Sequence, residues 1–76
     1  MTKSATANRP KAVDALMDIT ERAIAFRYIG RTPTLSDVVR VVSTASRLLR
    51  YSNLDEKIEV ENAAVLQLAK KRQLVS

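Results

Sequence analysis

The apolar and polar side chains between residues 35 and 52 fall on opposite halves of a helical wheel. One half holds six aliphatic residues: Val38, Val41, Val42, Ala45, Leu48 and Leu49. The other half holds Ser36, Arg40, Ser43, Thr44, Arg47, Arg50 and Tyr51. This separation predicts a helix from about Leu35 to Ser52 with one buried face. Its many β-branched residues lower its intrinsic helix propensity, so we expect burial to stabilise it.

A second periodicity precedes this helix. From Lys11 to Ile29 apolar residues recur every three or four positions, which predicts an amphipathic helix. Gly30 follows at the position where a left-handed residue commonly ends a helix. The next helix has two alternative starts, with Pro33 as its first residue or with Thr34 as an N-cap that has an acid three positions later.

A third helix is predicted after residue 52. Asn53 and Glu56 have the spacing of a capping box, and a helix is expected from Leu54 toward Gln73. The alternating residues 57–61 leave open a short strand followed by a shorter helix, but no other segment offers a pairing strand, so one helix is preferred. Its expected apolar stripe is Leu54, Ile58, Val65, Leu68 and Ala69, with Glu61 and Arg72 within it.

These segments predict an all-α fold, a small three-helix bundle with a flexible N-terminal arm. Residues 1–10 are polar and lack periodicity, so we expect them to be a mobile arm, and residues 11–76 to be a single helical domain. One core in a chain this short seldom supplies more than about 3–5 kcal/mol. The apolar arc of the first helix is also wider than one packed face, so we expect a second copy or a partner protein to cover the remainder, and a homo-oligomer, with a dimer as its simplest form, is preferred.

The composition argues against several kinds of chemistry. With no Cys and no His, the chain lacks thiolate ligands, a cysteine nucleophile and the commonest general base. A single Gly is too few for a phosphate-binding loop. We therefore expect no enzymatic activity, no metal and no cofactor. No segment approaches the about 18 apolar residues of a membrane span, and the first ten residues lack the apolar stretch of a signal peptide, so we expect a cytoplasmic protein with no membrane partner.

The net charge of +5 is concentrated in one part of the chain. Residues 22–52 hold six Arg, no Lys and Asp37 as their one acid, together with all three aromatic residues. Arg binds phosphate, guanine or carboxylate through a planar fork of donors, and it also stacks on flat rings. The composition of this segment therefore favours a recognition surface, although solubility and helix propensity are the plainer explanation for the same residues.

Within this segment the spacing singles out one row of side chains. Arg40, Ser43, Arg47 and Arg50 follow one another at intervals of three, four and three, which predicts a single exposed helical stripe suited to phosphates. Arg27 lies within the apolar arc of the first helix, so it either extends past the core edge or meets a buried acid. The candidate residues for binding nucleic acid or another partner are Arg27, Arg31, Arg40, Ser43, Arg47, Arg50 and Tyr51.

The segment from Thr34 to Leu49 also resembles the helix-turn-helix of the lactose-repressor family, which reads DNA through its second helix. The resemblance covers about 16 residues. The Gly-containing turn of that family is absent here, and the segment is too short for two helices and a turn. One continuous helix therefore remains the prediction, and no binding residue is carried over from the family.

Two classes of function fit these observations. The first is a small, basic, nucleic-acid-associated regulator of the phage or plasmid type that binds the phosphate backbone, with DNA ahead of RNA as its target. The second is a protein-binding modulator, such as a phage-type inhibitor or adaptor of a larger host machine like the transcription apparatus, since Arg and Tyr are also enriched at protein interfaces. An oligomeric packaging component is a third alternative.

Overall fold

The chain forms three helices that pack against one another. The computed structural model describes the backbone of residues 2–74 and the side chains of residues 10–74. The helices are α1 (Thr2–Arg27), α2 (Leu35–Ser46) and α3 (Leu54–Lys71), and each contacts the other two. The predicted all-α three-helix bundle is confirmed. Residues 57–61 lie within α3, so the single-helix interpretation of this segment is confirmed as well.

All three helices contribute aliphatic side chains to one core. Their shared property is a spacing of three or four positions, which places them on one face of each helix. The buried set comprises Val13, Leu16 and Ile24 from α1, Val38, Val41, Val42 and Ala45 from α2, and Val60, Ala64, Leu68 and Ala69 from α3.

The first helix is longer than the periodicity predicts. It begins at Thr2, so the backbone of the expected arm continues α1. Pro10 lies inside the helix and has no N–H with which to bond the preceding turn, which weakens the connection between residues 2–9 and the rest of α1. The side chains of residues 1–9 lie outside the described residues, and the mobility of this arm stays a prediction.

The connection between α1 and α2 follows the predicted turn chemistry. Gly30 has a φ of +73°, in the left-handed region that favours glycine. Of the two alternative starts for α2, Thr34 is the N-cap: its hydroxyl accepts the N–H of Asp37 at 3.1 Å, and its own N–H donates to the Asp37 carboxylate at 2.9 Å. Pro33 precedes this cap and is buried.

The second helix ends six residues earlier than predicted, at Ser46. The N–H groups of Arg47, Leu48 and Leu49 each bond a carbonyl three residues back, at 3.2, 3.0 and 3.1 Å, so the helix tightens into a turn. The prediction that Leu48 belongs to the core is wrong, because the side chain leaves the helical register and is 73% exposed.

The buried face of α3 is rotated from the predicted stripe. Val60 and Ala64 are fully buried, whereas Leu54 and Ile58, both predicted for the core, are 68% and 46% exposed. Val60, Ala64 and Leu68 follow one another at intervals of four, so they form the row of side chains that meets the core. Leu54 and Ile58 lie outside this row and contact solvent.

Candidate nucleic-acid interface

Three of the four residues of the predicted Arg row lie on the solvent side of α2 and its C-cap. Arg40 and Ser43 belong to the helix, Arg47 is the C-cap with helical φ and ψ, and all three are exposed. We call them the α2 stripe. Arg40 and Arg47 are seven positions apart, a rise of about 10.5 Å along the helix axis, and Ser43 lies between them. Guanidinium groups with this separation can contact different phosphates of one nucleic-acid strand, whose charges repeat about every 3.4 Å of helix axis.

The fourth residue, Arg50, is not on this stripe. The prediction of a four-residue helical row is wrong here, because α2 ends at Ser46 and Arg50 lies in the connection that follows the tight turn. Arg50 is nevertheless exposed. It therefore flanks the C-terminal end of the α2 stripe instead of extending it.

Six of the seven arginines within residues 10–74 have no carboxylate oxygen within 4.0 Å. Two of the six are Arg31 and Arg72, and the other four are Arg27, Arg40, Arg47 and Arg50. The nearest acid in sequence to the stripe is Asp37, and its carboxylate is bonded to the N-cap of α2. The charges of these four guanidinium groups are thus not neutralised by ion pairs within the described fold.

The ion pairs that do form lie elsewhere. Arg22 pairs with Asp18 at 3.2 Å on the exposed face of α1. Lys71 of α3 pairs with Glu21 of α1 at 3.0 Å and joins the two helices. The acidic residues of α1 therefore balance cations outside the α2 stripe, which leaves the positive charge of the segment 22–52 concentrated near α2.

Arg27 extends past the edge of the core. It is the last residue of α1 and is exposed, so the first of the two predicted alternatives is the observed one and no buried acid meets it. Its backbone carbonyl accepts a hydrogen bond from Nη2 of Arg31 at 3.2 Å. Arg31 also lies over the ring of Tyr28, 5.0 Å from its centroid. The guanidinium of Arg31 is thus already engaged in closing the end of α1.

Asp37, which contacts Tyr28 near the end of α1, is stabilised in its ionised carboxylate form. The backbone N–H of Thr34 holds the pKa of Asp37 below its ordinary value of 3.8, against a raising effect of desolvation. The hydroxyls of Thr34 and Tyr28 and the charge of Arg40 lower this pKa further. The role of Tyr28 was missed at the level of sequence, where the predicted helix ran to Ile29 and included this residue. In the structure α1 ends at Arg27, so Tyr28 lies in the connection to α2.

Tyr51 is turned toward the fold and away from the α2 stripe. Its hydroxyl oxygen lies 2.8 Å from the hydroxyl oxygen of Ser46, which is fully buried. The ring packs against the hydrophobic core. The wheel placed Tyr51 on the polar side of a helix that does not reach it, so the structure separates this residue from the arginines with which it was grouped.

A groove between α1 and α2 borders the stripe. We call it the α1–α2 groove, and its volume is about 200 Å³. Thr44 lines it, and Arg40 and Arg47 are the neighbours of Thr44 on the helix surface, four positions before it and three after it. The sequence signal for the groove was the wide apolar arc of the first helix. The lining residues are Ile19, Ala23, Arg27, Val41, Thr44, Ala45 and Leu48.

Among the described residues, no helix combines the length and apolar character that crossing a bilayer requires. No group of three or more acidic side chains in the same residues is placed to hold a metal ion. Comparison of the chain with protein-family models, curated proteins and solved structures gives no match.

Proposed function

We propose that this protein is a small nucleic-acid-associated regulator that binds the phosphate backbone of duplex DNA through the α2 stripe. The observation that carries the proposal is a group of exposed arginines with no carboxylate partner in the described part of the chain. The group has five members, Arg27, Arg31, Arg40, Arg47 and Arg50, and the last three lie within one short region of α2 and its following turn. Clustered cations without internal partners are the electrostatic footprint of a phosphate-binding surface.

The side-chain chemistry of the stripe supports phosphate as the ligand. Arg40 and Arg47 can donate two hydrogen bonds each to phosphate oxygens, and the hydroxyl of Ser43 supplies a neutral donor between them. The hydroxyl of Thr44 donates instead to the carbonyl of Arg40 at 3.2 Å, so it belongs to the helix. Arg27 and Arg50 flank the stripe and widen the positive surface.

Backbone contacts of this kind predict binding that depends on salt and little on sequence. The decisive experiment measures fluorescence anisotropy of two duplexes of unrelated sequence, and of one RNA duplex, over a range of salt concentrations. Arg40→Ala and Arg47→Ala are each expected to weaken binding to both DNA sequences alike, and to reduce the slope of log affinity against log salt by about 1.

Arg22→Ala is the matched control. It removes the same unit charge from an exposed position, but Arg22 already pairs with Asp18 on α1 and is not part of the α2 stripe. We expect this variant to leave the salt slope unchanged. Absence of DNA binding by the wild-type protein at low salt, where backbone electrostatics are strongest, contradicts the proposal.

The α1–α2 groove favours a second candidate function, a protein-binding modulator such as an inhibitor or adaptor of a larger assembly. Protein interfaces concentrate their binding energy in a few residues, so one anchor such as Leu48 is then expected to contribute more than about 2 kcal/mol while its neighbours contribute little. An even loss across Arg40 and Arg47 supports phosphate binding instead.

A further inference from the structure

We infer that the α1–α2 groove receives the first two turns of α3 from a second copy of this chain, in a head-to-tail arrangement. The inference concerns an interaction surface, goes beyond the proposed function, and involves no nucleic acid. Two surfaces of the chain support this contact. One is an apolar groove with arginines at its rim. The other is an exposed face of α3 that combines apolar and acidic side chains.

The groove leaves apolar surface in contact with water. Leu48, one of the residues that line it, has 73% of its surface exposed. The groove volume of about 200 Å³ exceeds the roughly 150 Å³ of cavities that bind benzene, so an aliphatic side chain has room to enter. Arg27 lines this groove, and the two arginines of the α2 stripe are the helical neighbours of Thr44, which lines its α2 side.

The start of α3 presents the complementary surface. We call Leu54, Asp55 and Ile58 the α3 outer face. Leu54 and Ile58 are four positions apart, which places them next to each other on the helix, and both are exposed although the apolar pattern predicted burial. Asp55, which is also exposed, places a carboxylate beside them.

Charge decides between the two ways in which copies can meet. A two-fold symmetric contact of groove against groove places Arg27, Arg40 and Arg47 of one copy opposite the same residues of the other, and like charges that face each other are unfavourable. A contact of groove against α3 outer face places arginines opposite the Asp55 carboxylate. In a bundle of three helices that each contact the other two, the α1–α2 groove and an exposed face of α3 lie on different sides, so two copies cannot form both contacts with each other at once. The contact is therefore heterologous, and it continues into an open chain or closes into a ring.

The test is sedimentation equilibrium of the full chain without nucleic acid, at low salt, from about 10 µM to about 1 mM, the range in which weak interfaces associate. The wild type is expected to exceed the mass of a dimer at the upper concentrations, and added salt is expected to lower the average mass. A mass that stays at that of the monomer throughout, or that stops at the dimer, overturns the inference.

Two single variants block one side of the contact each. Leu48→Glu alters the groove and Leu54→Arg alters the α3 outer face, and each variant alone is expected to remain monomeric. An equimolar mixture of the two retains one intact groove and one intact outer face, so it is expected to form a 1:1 heterodimer and nothing larger. Failure of the mixture to form a heterodimer overturns the head-to-tail arrangement.

A charge exchange covers the case in which either variant fails to fold. Arg27→Glu and Asp55→Lys are each expected to reduce association at least tenfold, and the double variant is expected to recover most of the loss because the opposite charges are restored. Val39→Glu is the matched control, since Val39 is an exposed aliphatic residue of α2 that does not line the groove. Equal association of the wild type and both charge variants contradicts the inference.

Discussion

The hydroxyl oxygens of Ser46 and Tyr51 lie 2.8 Å apart across the end of α2. Ser46 is the last residue of the helix and is fully buried, while Tyr51 is half-buried in the connection to α3. A buried hydroxyl without a partner costs free energy, so this hydrogen bond favours the turn that brings the connection back onto the core. This hydrogen bond therefore helps to fix the end of α2 at Ser46.

We expect Tyr51→Phe to lower the free energy of unfolding by about 1–3 kcal/mol, because it leaves the Ser46 hydroxyl buried without a partner. Ser46→Ala is expected to cost less, about 1 kcal/mol, because the Tyr51 hydroxyl is closer to solvent. Urea denaturation measures both. In the double variant the two costs are expected to be non-additive, and simple additivity argues against a coupled pair.

The Asp37 carboxylate is expected to make the stability of the fold depend on pH. The N–H of Thr34 holds the pKa of Asp37 below 3.8 in the folded chain, so its contribution is fully present above the unfolded value and is lost as pH falls through the folded value. Urea midpoints measured from about pH 5 to about pH 2 are expected to converge for the wild type and Asp37→Asn. A gap that is constant with pH contradicts this assignment.

Thr34→Ala is expected to lower the free energy of unfolding by about 1 kcal/mol, because it removes the oxygen that accepts the N–H of Asp37 at the start of α2. Thr32→Ala, at an exposed position two residues earlier, is the control and is expected to change stability by less than about 0.5 kcal/mol. Thermal denaturation distinguishes them, since about 1 kcal/mol shifts the midpoint by about 4–8 °C in a domain of this size. Equal shifts for the two variants contradict a capping role.

Two left-handed residues are expected to respond to substitution with opposite signs. At Gly30 an added Cβ has open space, so Gly30→Ala is expected to cost about 1 kcal/mol from the backbone alone. Gln73 has a φ of 58° where the helix C-terminal motif favours glycine, and the N–H of Leu74 bonds the carbonyl of Ala69 at 2.8 Å across it. Gln73→Gly is expected to raise stability by up to about 1 kcal/mol in the same denaturation assay. Destabilisation by Gln73→Gly contradicts this account.

The buried face of α3 can be tested by comparing two β-branched residues. Val60→Ala is expected to lower the free energy of unfolding by about 2 kcal/mol, because Val60 is fully buried and its loss leaves a cavity. Ile58→Ala removes more atoms from a position that is 46% exposed, yet is expected to cost less. The reverse order, measured by urea denaturation, supports the stripe predicted from the sequence.

Local chemistry accounts for the parts of the fold that were predictable. The starts of α2 and α3 depend on Thr34 and Asn53, whose side chains accept N–H groups three residues later, at 3.1 and 2.8 Å. The carboxylate of Glu56 reaches one residue further than a capping box requires and accepts the N–H of Ser52 at 2.7 Å. Contacts over so few residues can be inferred from spacing alone. Arg40, Ser43 and Arg47 were placed on one exposed stripe for the same reason.

The number of helices, the start of α3 and the left-handed turn at Gly30 were predictable from the sequence, because each depends on residues within about one helical turn. For α2 two starts were open, and the structure selects Thr34 as the N-cap. The packed fold shows that α2 ends at Ser46, that Arg50 and Tyr51 separate from the α2 stripe, and that α3 buries Val60 instead of Leu54. Helical periodicity predicts burial correctly only where the helix continues and a neighbour covers one side of it. Where a helix ends and how far its neighbour extends depend on contacts between residues distant in the chain, such as those that close the core around a helix of only 12 residues.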